Sequence, residues 1–427
     1  MKKIFSKKVI ESALIGSAAL VLGLVSHTAS AVIDGVTGPT FSLTAKADLI
    51  SLGDGAVTTA WGYANGNGMM QYPGVTMIVN QGDVVTVRLK NTLPLPVSIV
   101  FPGQEGVVAT GGTPGLLTNE VPGDGITEVT YTFTATHAGT YLYQSGTRPD
   151  LEIEMGLVGA LVVRPNVPNA AHQAYGHVDT TFDREYLFLI TEMDPVIHDL
   201  VGEGRFAEVD NTTYHPVYWF FNGRNGPDTM SGAGSATPWL PTQPYNCLPR
   251  MHPGETVLMR VINAGRDLHP FHHHGNNTNL IARDGRLLES APGVGPDLQT
   301  SDFTIRAVPG ETYDALFTWT GAGLGWDMYG HSATDPLQPN EYAADHGKSF
   351  PVLLPNVQDI TVVSDYSGSP FLGMLGALPP GVGGFNKTGG YYYMWHSHTE
   401  RELTNNDIYP GGMLTMLIIE HPSQNIP

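Results

Sequence analysis

From Val84 to Lys90 the chain reads VVTVRLK, with apolar and polar residues taking turns. Successive side chains of a strand point to opposite faces, so this rhythm predicts a strand with one face in a core and the other in water. Similar short runs recur between turns supplied by 51 Gly and 32 Pro. No long stretch keeps the 3.6-residue period of an amphipathic helix. The pattern predicts an all-β protein of sandwich type, and 427 residues suit two such domains.

The chain also repeats itself. Asn80–Gln104 and His252–Asn276 match without a gap at an offset of 172 residues, pairing Gly82 with Gly254, Val85 with Val257, Arg88 with Arg260 and Asn91 with Asn263. Tyr141–Gly146 pairs with Tyr393–His398 at an offset of 252, and Gly156–Val163 with Gly412–Ile419 at 256. The second copy therefore carries four extra residues around Leu403 to Pro410. A two-copy repeat predicts two related domains. Domain one is placed at 40–165, a polar Pro-containing linker at 166–181, and domain two at 182–425. Domain two is enlarged by the Gly- and Pro-rich segments Leu200–Tyr245 and Trp326–Lys387; of lids, subunit contacts and surface loops, the last two readings fit them best.

Two strand-like histidine pairs stand out: His272/His274 and His396/His398. Residues two apart on a strand share a face, so each pair can aim two imidazoles at one point, as a copper or zinc site requires. Copper suits imidazole best, with zinc as competitor. The repeat sets Val100 opposite His272, Pro102 opposite His274, Gln144 opposite His396 and Gly146 opposite His398. The first copy has the strands without the ligands. His273 points to the opposite face. His137 is read as a turn residue, and His331 and His346 as exposed loop residues.

Before the first strand come Lys2, Lys3, Lys7 and Lys8, an apolar run from about Ala13 to Val25, and Ala29-Ser30-Ala31. Residues 1–31 read as a secretory signal peptide, since the run is shorter than the roughly 20 residues of a membrane span. The expected product is exported, periplasmic or extracellular, with no membrane span after cleavage. The formal net charge is −19; removing residues 1–31, with four Lys and one Glu, makes it −22. That excludes nucleic acid and anionic membrane as expected partners. Cys247 is the one cysteine, so it forms no internal disulfide and reads as a buried thiol.

Taken in order, Gly82–Asn91 with Ser98–Gln104, Tyr131–Gly146 with Glu154–Val163, His252–Gly265 with His269–Gly275, and Trp395–His398 with Gly411–Glu420 resemble the multicopper oxidase family. The resemblance implies two cupredoxin-like Greek-key β-sandwich domains, arranged as in small laccases and copper nitrite reductases. It further implies a homotrimer with metal between domain one of one subunit and domain two of the next. In that family four His-x-His pairs hold a three-copper cluster; here two pairs remain. The family's blue-copper cysteine falls at Ser397, and a further family histidine falls at Glu402. His269 matches that copper's ligand set, and Met413 matches its weak axial ligand. A serine oxygen does not replace a thiolate, so no blue centre is expected. His269 and Glu402 are weaker candidate ligands, with Glu402 otherwise a solvated charge or an acceptor for an imidazole N–H. The expected function is a copper-binding exported protein, either an oxidoreductase with a reduced site fed by an electron-donor or acceptor protein, a copper store without turnover, or a metal-free cell-envelope scaffold. Laccase-type four-electron oxygen reduction is not expected.

Overall fold

The computed structural model describes residues 33–232, 237–349, 368–369 and 390–426. The expected signal peptide and most of 350–387 lie outside these residues. The described strands form four main sheets, which stack in four layers. The first has the order Val57–Asn65, Thr40–Ser51, Val84–Asn91, Val129–Thr134, Val108–Gly111. The second has the order Val36–Thr37, Met77–Asn80, Val158–Arg164, Gly139–Gln144. Phe41, Val85, Val87, Tyr131, Tyr143 and Leu161 fill the space between them.

Domain two rebuilds this plan. Its inner sheet includes Arg184–Met193, Thr256–Asn263 and Thr312–Thr318, and its outer sheet runs Arg250–Met251, Leu414–Ile419, Tyr391–Ser397, His269–His273, Thr304–Ala307. Phe188, Met259, Phe271, Trp395 and Leu417 pack between these two. In each copy the repeated strand runs parallel to the domain's first long strand, Val84–Asn91 beside Thr40–Ser51 and Thr256–Asn263 beside Arg184–Met193. The sequence repeat is thus a repeat of strand pairing.

The second and third sheets face each other. Leu142, Val158, Ala160 and Val162 meet Leu187, Leu189, Ile262 and Ala264 in a continuous apolar layer. This explains a difference between the repeats. Val84–Asn91 keeps its outward face in water, whereas Thr256–Asn263 is buried at every position but the first. The side chain of Arg88 is 51% exposed; that of its counterpart Arg260 is 0% exposed. Arg260 donates to Glu185 at 2.6 Å and to Thr140 at 2.9 Å, and lies 3.4 Å from Asp314. Arg164 grips Glu185 through both terminal nitrogens at 2.5 Å. Tyr175 and Thr140 donate to Asp314 at 2.5 and 2.6 Å. Charges buried between domains are tolerated because each finds a partner of opposite sign or a hydrogen bond.

The segment Leu200–Tyr245 is not a plain surface loop. It supplies Tyr218 and Phe220 to an apolar cluster with Ile50, Leu52, Met70 and Tyr72 of domain one, and Thr242 accepts from the Tyr72 N–H at 2.8 Å. Just before it, the helix Pro195–Gly202, capped by Asp194, places His198 2.6 Å from the Thr59 carbonyl. Cys247 is buried beside the Phe221 carbonyl, and burial pushes its thiol up to about 12.

Candidate metal centre

In the outer sheet of domain two, antiparallel pairing sets His272 directly opposite His396. Directly opposed residues share a face. The rings of His272 and His274 are 4.7 Å apart between centroids, those of His272 and His396 5.3 Å, and those of His272 and His398 4.8 Å. All four predicted imidazoles therefore gather in one place, with His398 on the exposed side.

The outer nitrogens decide what the inner ones offer. Nδ1 of His396 lies 2.6 Å from the Ser397 carbonyl. A carbonyl only accepts, so the ring carries its proton at Nδ1 and presents Nε2 as a lone pair. Nδ1 of His272 is held 3.0 Å from Thr304 Oγ1. Nε2 of His396 faces Nε2 of His274 at 3.2 Å. Ligand nitrogens of His272, His274 and His396 all lie within 4.8 Å of one another. Two donors about 2.0 Å from one ion stand at most about 4 Å apart, so side-chain adjustment is needed to close the set on an ion; donors that are all imidazole suit copper or zinc. Burial, reinforced by the neighbouring imidazoles, pulls His272 down to about 3. Burial pulls His396 down to about 4. Both are therefore neutral, ligand-competent rings at neutral pH. His273 turns into the core between Phe317 and Trp395, with Nε2 3.2 Å from the Asp302 carbonyl.

The weaker candidates form a different group. His269 is fully buried with Nδ1 3.0 Å from Glu402 and Nε2 2.9 Å from Glu192. Burial alone would lower its pKa, but these two carboxylates outweigh that and raise it to about 9. Glu402 is not a solvated charge: it is buried and accepts from Ser397 Oγ at 2.5 Å. Met413 is buried in the domain-two core. At the expected blue-copper position the chain thus carries a carboxylate–imidazolium–carboxylate bridge, and both His269 nitrogens are engaged.

Domain one keeps the platform of both groups. Val100 and Gln144 form an antiparallel bridge, with N–O distances of 2.8 and 3.2 Å, in the register that pairs His272 with His396. Ser145 donates to Glu152 at 2.6 Å, as Ser397 donates to Glu402. The position matching His269 is the buried Val97, and Oε1 of Glu152 has no hydrogen-bond partner. Burial raises Glu152 to about 8, against the lowering effects of the Ser145 hydroxyl and the Arg148 charge.

One group escaped the sequence reading. His331 and His346 are not exposed loop residues; their side chains are 19% and 16% exposed, and they converge with Asp327 and Glu341. The spacings Asp327-x3-His331 and Glu341-x4-His346 were visible, but nothing local indicated that the loop folds back to join them.

Residues 45–167 match the family model described as Multicopper oxidase. "Multicopper oxidase MCE" of Talaromyces pinophilus is 37% identical over 103 residues, 23% of this chain and 16% of that protein. "Copper resistance protein A homolog" of Pseudomonas syringae pv. tomato is 28% identical over 312 residues, 66% of this chain and 48% of that protein. The chain thus matches less than half the length of these curated relatives. Among solved structures, the Blue Copper Oxidase from Nitrosomonas europaea shares the fold with a TM-score of 0.55 at 21% identity, covering 88% of this chain and 85% of that one. The fold is that of the two-domain cupredoxin sandwiches expected from the motifs.

Proposed function

We propose that the protein is a copper-binding relative of the multicopper oxidases whose metal is held by domain two, through His272, His274 and His396 with His398 at the open side. One observation carries the reading: the 3.2 Å approach of Nε2 of His274 to Nε2 of His396, with the far side of His396 fixed on a carbonyl. Copper bound there would supply redox or Lewis-acid chemistry. No blue electron-entry centre accompanies it, because Ser397 brings no thiolate and His269 is committed to Glu192 and Glu402. Turnover on this reading draws electrons from a donor protein; without one, the site stores or delivers copper. Zinc competes for the same nitrogens.

The same reading exports the chain after removal of residues 1–31 and sets the His face against the ligand-poor domain-one edge of another copy in a homotrimer. Two features support a shared site. The sheet carrying Gln144 and the sheet carrying the histidines are separated by a third sheet within one chain. Leu268 and Phe303, 51% and 53% exposed, border the histidine strand, with the Phe303 ring 5.5 Å from that of His272.

Copper-reconstituted protein from the exported fraction is expected to hold one copper per chain more than a His272→Ala/His396→Ala variant, without an intense blue band. Equal, negligible copper in both sinks the reading and leaves the scaffold alternative. An intense blue absorption contradicts the assignment at Ser397. Sedimentation then reports whether the chain is a trimer.

A further inference from the structure

We propose a second metal site, for a divalent cation of the zinc class, in the loop 321–349 of domain two, with Asp327, His331, Glu341 and His346 as ligands. One ligand atom from each of the four lies within 4.8 Å of every other. In a tetrahedral zinc site with bonds of about 2.0–2.2 Å, neighbouring donors stand roughly 3.3–3.6 Å apart, so small side-chain adjustments close this set on an ion. Two neutral imidazoles and two carboxylates balance a divalent charge, and the mixed nitrogen and oxygen donors suit zinc.

The donors are already aimed. Both histidines turn Nδ1 inward: that of His331 lies 3.2 Å from Glu341 and 3.8 Å from Asp327, and that of His346 2.6 Å from Glu341. The carboxylates are held by backbone N–H groups, Asp327 by Tyr329 at 2.8 Å and Gly347 at 2.9 Å, and Glu341 by Gln338 at 2.9 Å. Such outer hydrogen bonds orient metal ligands. The two carboxylate side chains are 1% and 2% exposed.

A cavity of about 10 Å³ borders the carboxylate side of the group, walled by Trp326, Met328 and Tyr342, with neither histidine in its lining. A surface cleft of about 370 Å³ lined by His252, Glu255, Tyr329 and His331 gives solvent a route to the histidine side. The loop also has a use for a clip. Residues 321–349 contain neither helix nor strand, and their closure rests on contacts such as the Asp327 N–H donating to the Lys348 carbonyl at 2.9 Å. A loop of that length without structure of its own is uncommon unless something holds it, and cross-linking distant points of a long loop stabilises it by removing chain entropy.

The test uses the full chain carrying His272→Ala/His396→Ala, so that the four-histidine group does not contribute. Titrated with zinc alone, this protein is expected to bind one equivalent, and zinc is expected to slow tryptic cleavage after the exposed Lys348. Adding His331→Ala/His346→Ala, or separately the shape-conserving Glu341→Gln, is expected to weaken zinc binding at least tenfold and abolish that protection. Absence of stoichiometric zinc binding in the first protein overturns the proposal. So does zinc binding that survives the added histidine changes. If the histidine variant fails to fold, unchanged zinc affinity in Glu341→Gln overturns it equally.

Discussion

His269 shows how one side chain redirects a site. Its two nitrogens contact two buried carboxylates, and its pKa is raised to about 9 from an ordinary 6.5. A group whose folded pKa is raised stabilises the fold fully below the unfolded value, and that contribution, about 3 kcal/mol here, is lost as pH rises through 9. Urea unfolding at pH 6 and pH 10 is expected to show this alkaline loss, and the loss is expected to vanish in His269→Ala. At pH 6 that variant is expected to be about 3–5 kcal/mol less stable, because Glu192 and Glu402 are left buried without a cation. Its copper content is expected to stay unchanged, since His269 stands outside the four-histidine group; copper loss would place it in the centre. Thr304 acts in the opposite way. Thr304→Val removes the partner of His272 Nδ1 and is expected to weaken copper binding about 10- to 100-fold with little effect on unfolding, as a competitive chelator titration would measure.

The strand His269–His273 is the element that joins core and site. Phe271 faces inward with ring centroids 5.0 Å from Phe188 and 4.8 Å from Phe221, while His272 faces out. Phe271→Ala is expected to cost about 3–5 kcal/mol by emptying that packing, and calorimetry with and without copper would show whether the bound metal restores part of the lost midpoint. The strand was legible in the sequence, because two-residue alternation and an ungapped repeat are local signals, but its register with Tyr391–Ser397 joins segments more than a hundred residues apart and was not. The repeat matches Val100 with His272 and Gln144 with His396 between the copies; the pairing of Val100 with Gln144 and of His272 with His396 comes from the fold. The burial of Arg260 was not legible, since it depends on a second sheet that covers the outward face only in domain two. Nor was the fate of Glu402, whose environment is made by Glu192 and His269 from distant strands. The loop histidines were misplaced for the same reason: loop closure between Asp327 and Lys348 leaves no periodic trace.

At the scale of the whole molecule, the two sandwiches are joined by an apolar layer and by the Arg164–Glu185–Arg260–Asp314 network. Domains that share a buried interface of this kind are expected to unfold together. Calorimetry is expected to give one transition for the parent. Arg260→Ala leaves Glu185 with one partner and Asp314 without its cation, and is expected to lose about 3–5 kcal/mol and to split the transition. The stack also sets the direction in which the histidine cluster faces, because the histidine strands occupy the layer farthest from their own domain one. The proposed function requires the four imidazoles gathered on that outer sheet to act as a ligand set rather than as packing. Anomalous diffraction at the copper edge from copper-loaded crystals tests this most directly. The expected result is a peak about 2.0 Å from the inward nitrogens of His272, His274 and His396. Full copper loading with no peak there, or a peak beside Ser397 and His269 instead, contradicts it.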